Sequence, residues 1–165
     1  MANEFQIQGL DAVLAKMRAL GPGLSAKGAR TAMRKAANVV RDAAKANAAK
    51  LDDPSTPNRI ADNVAVQFAS KTLKRTGDIM FRVGVRGGAR QYSNTSENRG
   101  KSRVGKSYAT GGSTFYWRFL EFGTSKMAAR PFMRPALSEN VGKAAEVAVV
   151  ELNKAIDRLA KKAGG

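Results

Sequence analysis

Leu10, Val13, Leu14 and Met17 recur at i, i+3, i+4 and i+7, the spacing of an amphipathic helix face, and Gly21-Pro22-Gly23 closes that run. Residues 25–50 follow without proline. Ala29, Ala32, Met33, Ala36, Val40, Ala43 and Ala44 mark one face of this stretch, and Ser25 stands where a first turn needs a cap. The pattern predicts a helix of about seven turns, at 3.6 residues each. Asp52-Asp53-Pro54-Ser55-Thr56-Pro57 is turn chemistry that ends it. Apolar positions then alternate with polar ones: Val64, Val66 and Phe68, and again Ile79, Phe81, Val83 and Val85, with a polar turn over residues 71–78 between them. Period two predicts two half-buried antiparallel strands, whose apolar face the alanine-rich helix is placed to cover. Leu137, Val141, Ala144, Ala145, Ala148, Leu152, Ile156 and Leu159 form a second long stripe. Its helix is expected to begin near Pro135, a residue type favoured in a first turn, and to end at Lys161-Lys162, whose charges suit the negative end of the helix dipole.

Between strands and C-terminal helix the character changes. Gly87-Gly88, Ser93-Asn94-Thr95-Ser96, Gly100, Gly105 and Gly111-Gly112 are interspersed with Arg86, Arg90, Arg99, Lys101, Arg103 and Lys106. Such a segment buries too little apolar area to offset its ordering entropy and is expected to be a long mobile loop that orders against another subunit, touches DNA, or does neither. The fold class that follows is α+β: a small, mainly antiparallel sheet packed against two long helices, with a long mobile loop. At 165 residues one domain, 1–165, is expected, with helices in 1–51, a strand pair in 60–86, a basic loop in 87–113, a distinctive segment in 114–137 and a C-terminal helix over 135–162.

Composition narrows the chemistry. Cysteine and histidine are both absent, which removes disulfides, thiolate and imidazole metal ligands, the commonest general base, and the Ser–His and Cys–His nucleophile pairs. The carboxylates are scattered, and the adjacent pair Asp52-Asp53 sits in a proline-bracketed turn, where capping or Asx hydrogen bonds suit it better than acid–base work. Gly100-Lys101-Ser102 and Gly105-Lys106-Ser107 hold fragments of a phosphate-binding loop without its preceding strand or spacing. No catalytic, metal or cofactor site is therefore expected. The first residues lack a basic, apolar secretory leader, and no apolar run reaches the length of a membrane span, so a protein made and kept in a cytoplasm, with no membrane partner, is the expectation.

The formal charge is +16, with +6 in residues 1–51, +1 in 52–85, +5 in 86–113 and +4 in 114–165. Lys27, Arg30, Arg34, Arg41 and Lys45 fall at helical spacings on one stripe away from the alanine face. The stripe is either a solvated helix face or, with Arg86, Arg90, Arg99, Lys101 and Arg103, a contact surface for DNA or an acidic partner. A small basic nucleic-acid-binding protein is the alternative reading. Against it, the aromatics are clustered among apolar neighbours rather than interleaved with cations, as a base-stacking strand would require.

That cluster is the most informative stretch. Five of the eleven aromatics lie in residues 115–122, within Phe115-Tyr116-Trp117-Arg118-Phe119-Leu120-Glu121-Phe122-Gly123-Thr124. Phe115, Trp117, Phe119 and Phe122 are expected to anchor the core, a subunit contact, or both. Gly123 permits a turn, Pro131 and Pro135 bracket Phe132 and Met133, and Glu121 is expected to pair with Arg118, Lys126, Arg130 or Arg134, in the same subunit or the next. Tyr116, Glu121-Phe122-Gly123-Thr124, a basic spacer and Pro131-Phe132-Met133-Arg134-Pro135-Ala136-Leu137 leading into a helix closely resemble the signature of a family of small tail components of HK-type lambdoid phages, similar to the minor tail protein Z of lambda. The resemblance implies a non-enzymatic virion protein of the neck, acting in tail completion or head–tail joining and assembled in the host cytoplasm. It implies a ring of copies of the chain, with a hexamer as one candidate. Its neighbours would be head-connector or stopper, tail-terminator and tail-tube proteins, with genome DNA passing close by. Tyr116, Trp117, Glu121, Phe122, Gly123, Thr124, Pro131, Phe132, Arg134 and Pro135 are the candidate subunit or partner interface.

Overall fold

The structure, a computed structural model, describes residues 11–12, 15–16, 22–53, 55, 59–86, 90–108 and 114–163. Elements run in the order α1 (Pro22–Ala49), α2 (Ile60–Asn63), β1 (Val64–Phe68), α3 (Ser70–Thr76), β2 (Phe81–Val85), β3 (Arg90–Gln91), α4 (Ser96–Gly100), β4 (Ser107–Tyr108), α5 (Trp117–Phe122), α6 (Met133–Ser138) and α7 (Val141–Ala163). The expected α+β class holds, with α1 and α7 as the long helices. The stripe predicted for a first short helix, Leu10, Val13, Leu14 and Met17, lies outside the described residues; Asp11, Ala12, Ala15 and Lys16 are helical. The described chain divides into two compact units: Met1–Val40, Val66–Val83 and Ser138–Gly165 form the first, Arg41–Ala65 and Gly84–Leu137 the second.

In the first unit α1 packs on α7 through small side chains. Ala32, Leu152 and Ile156 are buried together with Ala29 and Val149 against them. A Cβ placed on Gly28 would lie 2.9 Å from the Cβ of Ala155, so the two backbones meet where neither helix carries bulk. Seven residues further along α1, Lys35 Nζ donates to Glu151 Oε2 at 2.6 Å, and Lys154 Nζ reaches Oε1 of the same carboxylate at 3.2 Å. The Lys35 hydrogen bond is the main reason the Glu151 carboxyl titrates below its ordinary value.

Helix α1 starts three residues earlier than the sequence pattern indicates. Pro22 opens it, where the missing N–H is no loss, and Ser25 lies inside the first turn instead of capping it. The polar stretch expected to be a turn between the strands is the two-turn helix α3, closed by Gly77 at φ 80°, whose N–H donates to the Leu73 carbonyl. Lysines and an arginine at helical spacing carry no apolar pattern of their own, which is why α3 is silent in the sequence. β1 and β2 still pair. Ala69 N–H donates to Met80 O at one end and Arg86 N–H to Asn63 O at the other, so the strands run antiparallel as expected. The Phe68 and Phe81 rings sit 5.2 Å apart.

Part of the segment expected to be a long loop has regular structure. β3 and β4 pair antiparallel, Arg90 opposite Tyr108 and Gln91 opposite Ser107, with the short helix α4 between them. Thr95 caps α4 by accepting from Asn98 N–H, and the Asn98 side chain donates to the Ser93 carbonyl. These bonds are local, so they form without the apolar burial whose absence pointed to a loop. The C-terminal stripe also proves to be two helices. α6 ends at Ser138, and α7 begins past Asn140, whose carbonyl accepts from Ala144 N–H.

Gly28 gives a direct test of the α1–α7 contact. Gly28→Leu should destabilise the protein by about 1–3 kcal/mol, the cost of overpacking a close helix contact, despite leucine's better helix propensity. Urea unfolding reads it, and an unchanged or higher midpoint would show that the contact is not tight.

Candidate assembly surface

The second unit is organised by Glu121, 2% exposed. It stands on the last turn of α5. Its Oε2 accepts from the backbone N–H of Phe132 at 2.8 Å and of Met133 at 2.9 Å, and its Oε1 from Arg134 N–H at 3.1 Å and Arg134 Nε at 3.2 Å. The guanidinium closes the loop by donating through Nη2 to the Glu121 carbonyl at 2.6 Å. The carboxylate thus occupies the start of α6 and satisfies the amides that a helix leaves unpaired there. Burial alone would raise its pKa. The amides of Met133, Phe132 and Arg134, with the Arg134 side chain, outweigh burial and hold it below its ordinary value of 4.5. Of the four cations placed by sequence around Glu121, Arg134 of the same chain is the partner.

The turn between α5 and α6 is equally constrained. Gly123 adopts φ 74° and ψ 178°, backbone open essentially to glycine, and a Cβ there would stand 2.9 Å from Ala129 N and 3.0 Å from Met127 O. Thr124 and Met127 exchange backbone hydrogen bonds, Lys126 N–H donates to Thr124 Oγ1, and Arg130 N–H donates to Leu120 O at 2.7 Å. Pro131 is exposed, and Pro135 sits half-buried as the third residue of α6.

These bonds sort the aromatics onto two faces. Phe132 is fully buried, with the half-buried Trp117 edge-on to it at 6.5 Å, and the Asn47 amide donates to its carbonyl. Tyr116 is half-buried at the start of α5, where burial and the Asp52 carboxylate raise its hydroxyl pKa. Phe115, Phe119 and Phe122 point outward, 65%, 47% and 67% exposed. They fall at i, i+4 and i+7, and the first two meet edge-on at 6.4 Å. The aromatic cluster is therefore part core and part surface, and the sequence pattern alone did not separate the two.

A second buried node lay outside the sequence reading. Asn63 Nδ2 donates to Thr114 Oγ1 at 3.0 Å, and that hydroxyl donates to the Arg86 carbonyl at 3.1 Å, with Asn63 and Thr114 buried. Neither residue carries a charge or a motif that would single it out. Asp52 accepts from Ile60 and Ala61 N–H and so caps α2, while Asp53 accepts from Ser55 N–H and Oγ. Both acids are structural, as their turn context indicates.

The basic residues differ in their surroundings. In the first unit Lys27 is exposed, and the Arg30 and Arg34 guanidinium groups lie 4.6 and 5.6 Å from the Phe68 and Phe81 ring centroids. In the second, Arg41 pairs with Asp42, Lys45 is half-buried, Lys101 pairs with Glu97, and Arg103 lies over Tyr92. Arg86 and Arg99 are exposed, and Arg90 lies in β3. Among the described residues, no cluster of carboxylates could hold a metal ion and no helix is long and apolar enough to cross a membrane.

The family model described as "Bacteriophage HK97-gp10, putative tail-component" matches residues 11–123, about two thirds of the chain. The chain belongs to this HK97-gp10-like family of phage tail components, as its signature residues indicate. The match runs through Gly123 and leaves Pro131–Leu137 outside it. Comparison with curated proteins and with solved structures gave no match.

Glu121 yields a sign-definite pH prediction. Its folded pKa is depressed, so its stabilisation is complete above the ordinary value of 4.5 and lost as pH falls through the lower folded value. Glu121→Gln, which keeps one acceptor oxygen but removes the charge, should cost about 2–3 kcal/mol at neutral pH and flatten the acid limb of the stability profile. Chemical unfolding between pH 3 and 7 measures both, and a variant as acid-sensitive as the parent would show that Glu121 is not the titrating group.

Proposed function

We propose that this tail component is a structural, non-enzymatic protein of the neck, acting in tail completion or head–tail joining of a long-tailed bacteriophage. On this reading it works as a ring of copies seated among head-connector or stopper, tail-terminator and tail-tube proteins. Signature residues 116–135 supply the contact region, and genome DNA passes near its basic surface. The observation that carries the reading is the outward stripe of Phe115, Phe119 and Phe122 on a joint fixed by Glu121 and Gly123 in a member of this family. Large exposed aromatics on a rigid mount are costly in a solitary protein and useful in one that completes its burial on assembly. The absence of cysteine and histidine from the sequence supports a non-enzymatic role.

Complementation of a phage lacking this gene tests the role. Without the protein, filled heads and separate tails should accumulate in micrographs; joined, infectious particles would refute action at the neck. Gly123→Val, which strains the turn by about 1–3 kcal/mol and collides with Ala129, should fail to restore joining. Normal titres from that variant would sink the claim that the turn geometry is needed. Solution mass at low and high salt, with and without duplex DNA, separates the alternative. A salt-resistant oligomer indifferent to DNA supports the ring, and a monomer that binds DNA tightly at low salt and releases it at high salt favours a nucleic-acid-binding role.

A further inference from the structure

We infer that the aromatic stripe formed by Phe119 and Phe122 of α5 with Phe115 just before it docks an acidic, apolar-anchored segment of a different protein, and not a second copy of this chain. The inference deepens the proposed assembly role and rests on it. Phe119 and Phe122 on α5, with Phe115 in the turn before it, lie on the side opposite Trp117 and Glu121, which are committed to the interior. Exposed cations flank the stripe. Arg118 stands one turn from both Phe115 and Phe122, the Arg134 guanidinium lies 5.5 Å from the Phe122 centroid, and Lys126 and Arg130 lie in the following turn. The acid within residues 115–137, Glu121, is buried and spent on Arg134 and three amides. Among the described residues, no ion pair engages Arg118, Lys126 or Arg130.

Charge then selects the occupant. A two-fold contact of this face with itself would bring the cations of both copies into one interface whose acid, Glu121, is buried and already bonded, which repels and strands desolvated charge. Another face of the same chain fares little better. Its exposed acids among the described residues, Asp62, Asp78, Glu139 and Glu146 among them, are scattered along a chain of net charge +16. A segment with aliphatic or aromatic anchors at helical spacing and glutamates or aspartates at its edges satisfies both the rings and the cations.

Three synthetic amphipathic peptides with one identical Leu/Phe stripe, flanked by glutamate, glutamine or lysine, test this against the full-length protein by fluorescence anisotropy at 150 mM salt. The glutamate peptide should bind at least tenfold more tightly than the glutamine peptide, and the lysine peptide should not bind. Phe119→Ser with Phe122→Ser should weaken the glutamate peptide at least tenfold, and Arg118→Glu with Arg130→Glu should reverse the preference toward lysine. Reversal at Arg99 and Arg103, which carry similar charge elsewhere, should leave the preference intact. Equal effects from the two reversals would reduce the binding to net charge and overturn the proposal. So would binding unaffected by the serine variants, or a homodimer by sedimentation that those variants abolish. Peptide docking by a protein dispensable for head–tail joining would instead leave the inference standing and overturn the neck role.

Discussion

A single buried carboxylate holds the second unit in shape. Taking Glu121 out of water is expensive, and it persists because four donors converge on its two oxygens, three of them amides that a helix start would otherwise leave unsatisfied. The bond set ties residue 121 to residues 132–134 and thereby closes the loop that carries Gly123 and Thr124. With that loop closed, Phe132 is fixed in the interior and Phe115, Phe119 and Phe122 are left outside. The exposure of the stripe follows from the burial of the acid two positions away from one ring and one from another.

Other residues that fix backbone paths act in the same manner. Asp52 holds the start of α2 from eight residues away, and Thr114 joins Asn63 to Arg86 across long stretches of sequence. Each is a short polar side chain bonded to main chain or amide. In a protein rich in alanine, where apolar side chains are small, such contacts specify the path that bulkier packing would specify elsewhere.

The sequence made periodicity legible and left pairing hidden. The alanine stripe of α1, the alternation in β1 and β2 and the stripe of α7 each carry a repeated apolar signal, and those elements exist as the pattern indicates, although α1 begins earlier, β2 begins at Phe81 past Ile79, and the last stripe is divided between α6 and α7. α3 and the β3–β4 ribbon rest on local hydrogen bonds among polar residues, which leave no hydrophobic trace. At the site, a glycine turn at Gly123 and the pairing of Glu121 with a nearby cation were readable, because the residue types allow few other roles; that the cation is Arg134 was not. Which aromatics face inward was not readable. Tyr116, Trp117, Phe119 and Phe122 are all apolar enough for a core, and the choice is made by a carboxylate whose amide partners lie eleven to thirteen residues away.

Charge bears on assembly through the same geometry. A chain carrying +16 repels its own copies at low ionic strength, and the cations beside the aromatic stripe put part of that repulsion at the most adhesive face. Such a face is protected against premature self-association while its rings stay exposed. An acidic occupant removes that repulsion and buries the rings in one step, so the cations and the aromatic stripe act together as two halves of one docking device.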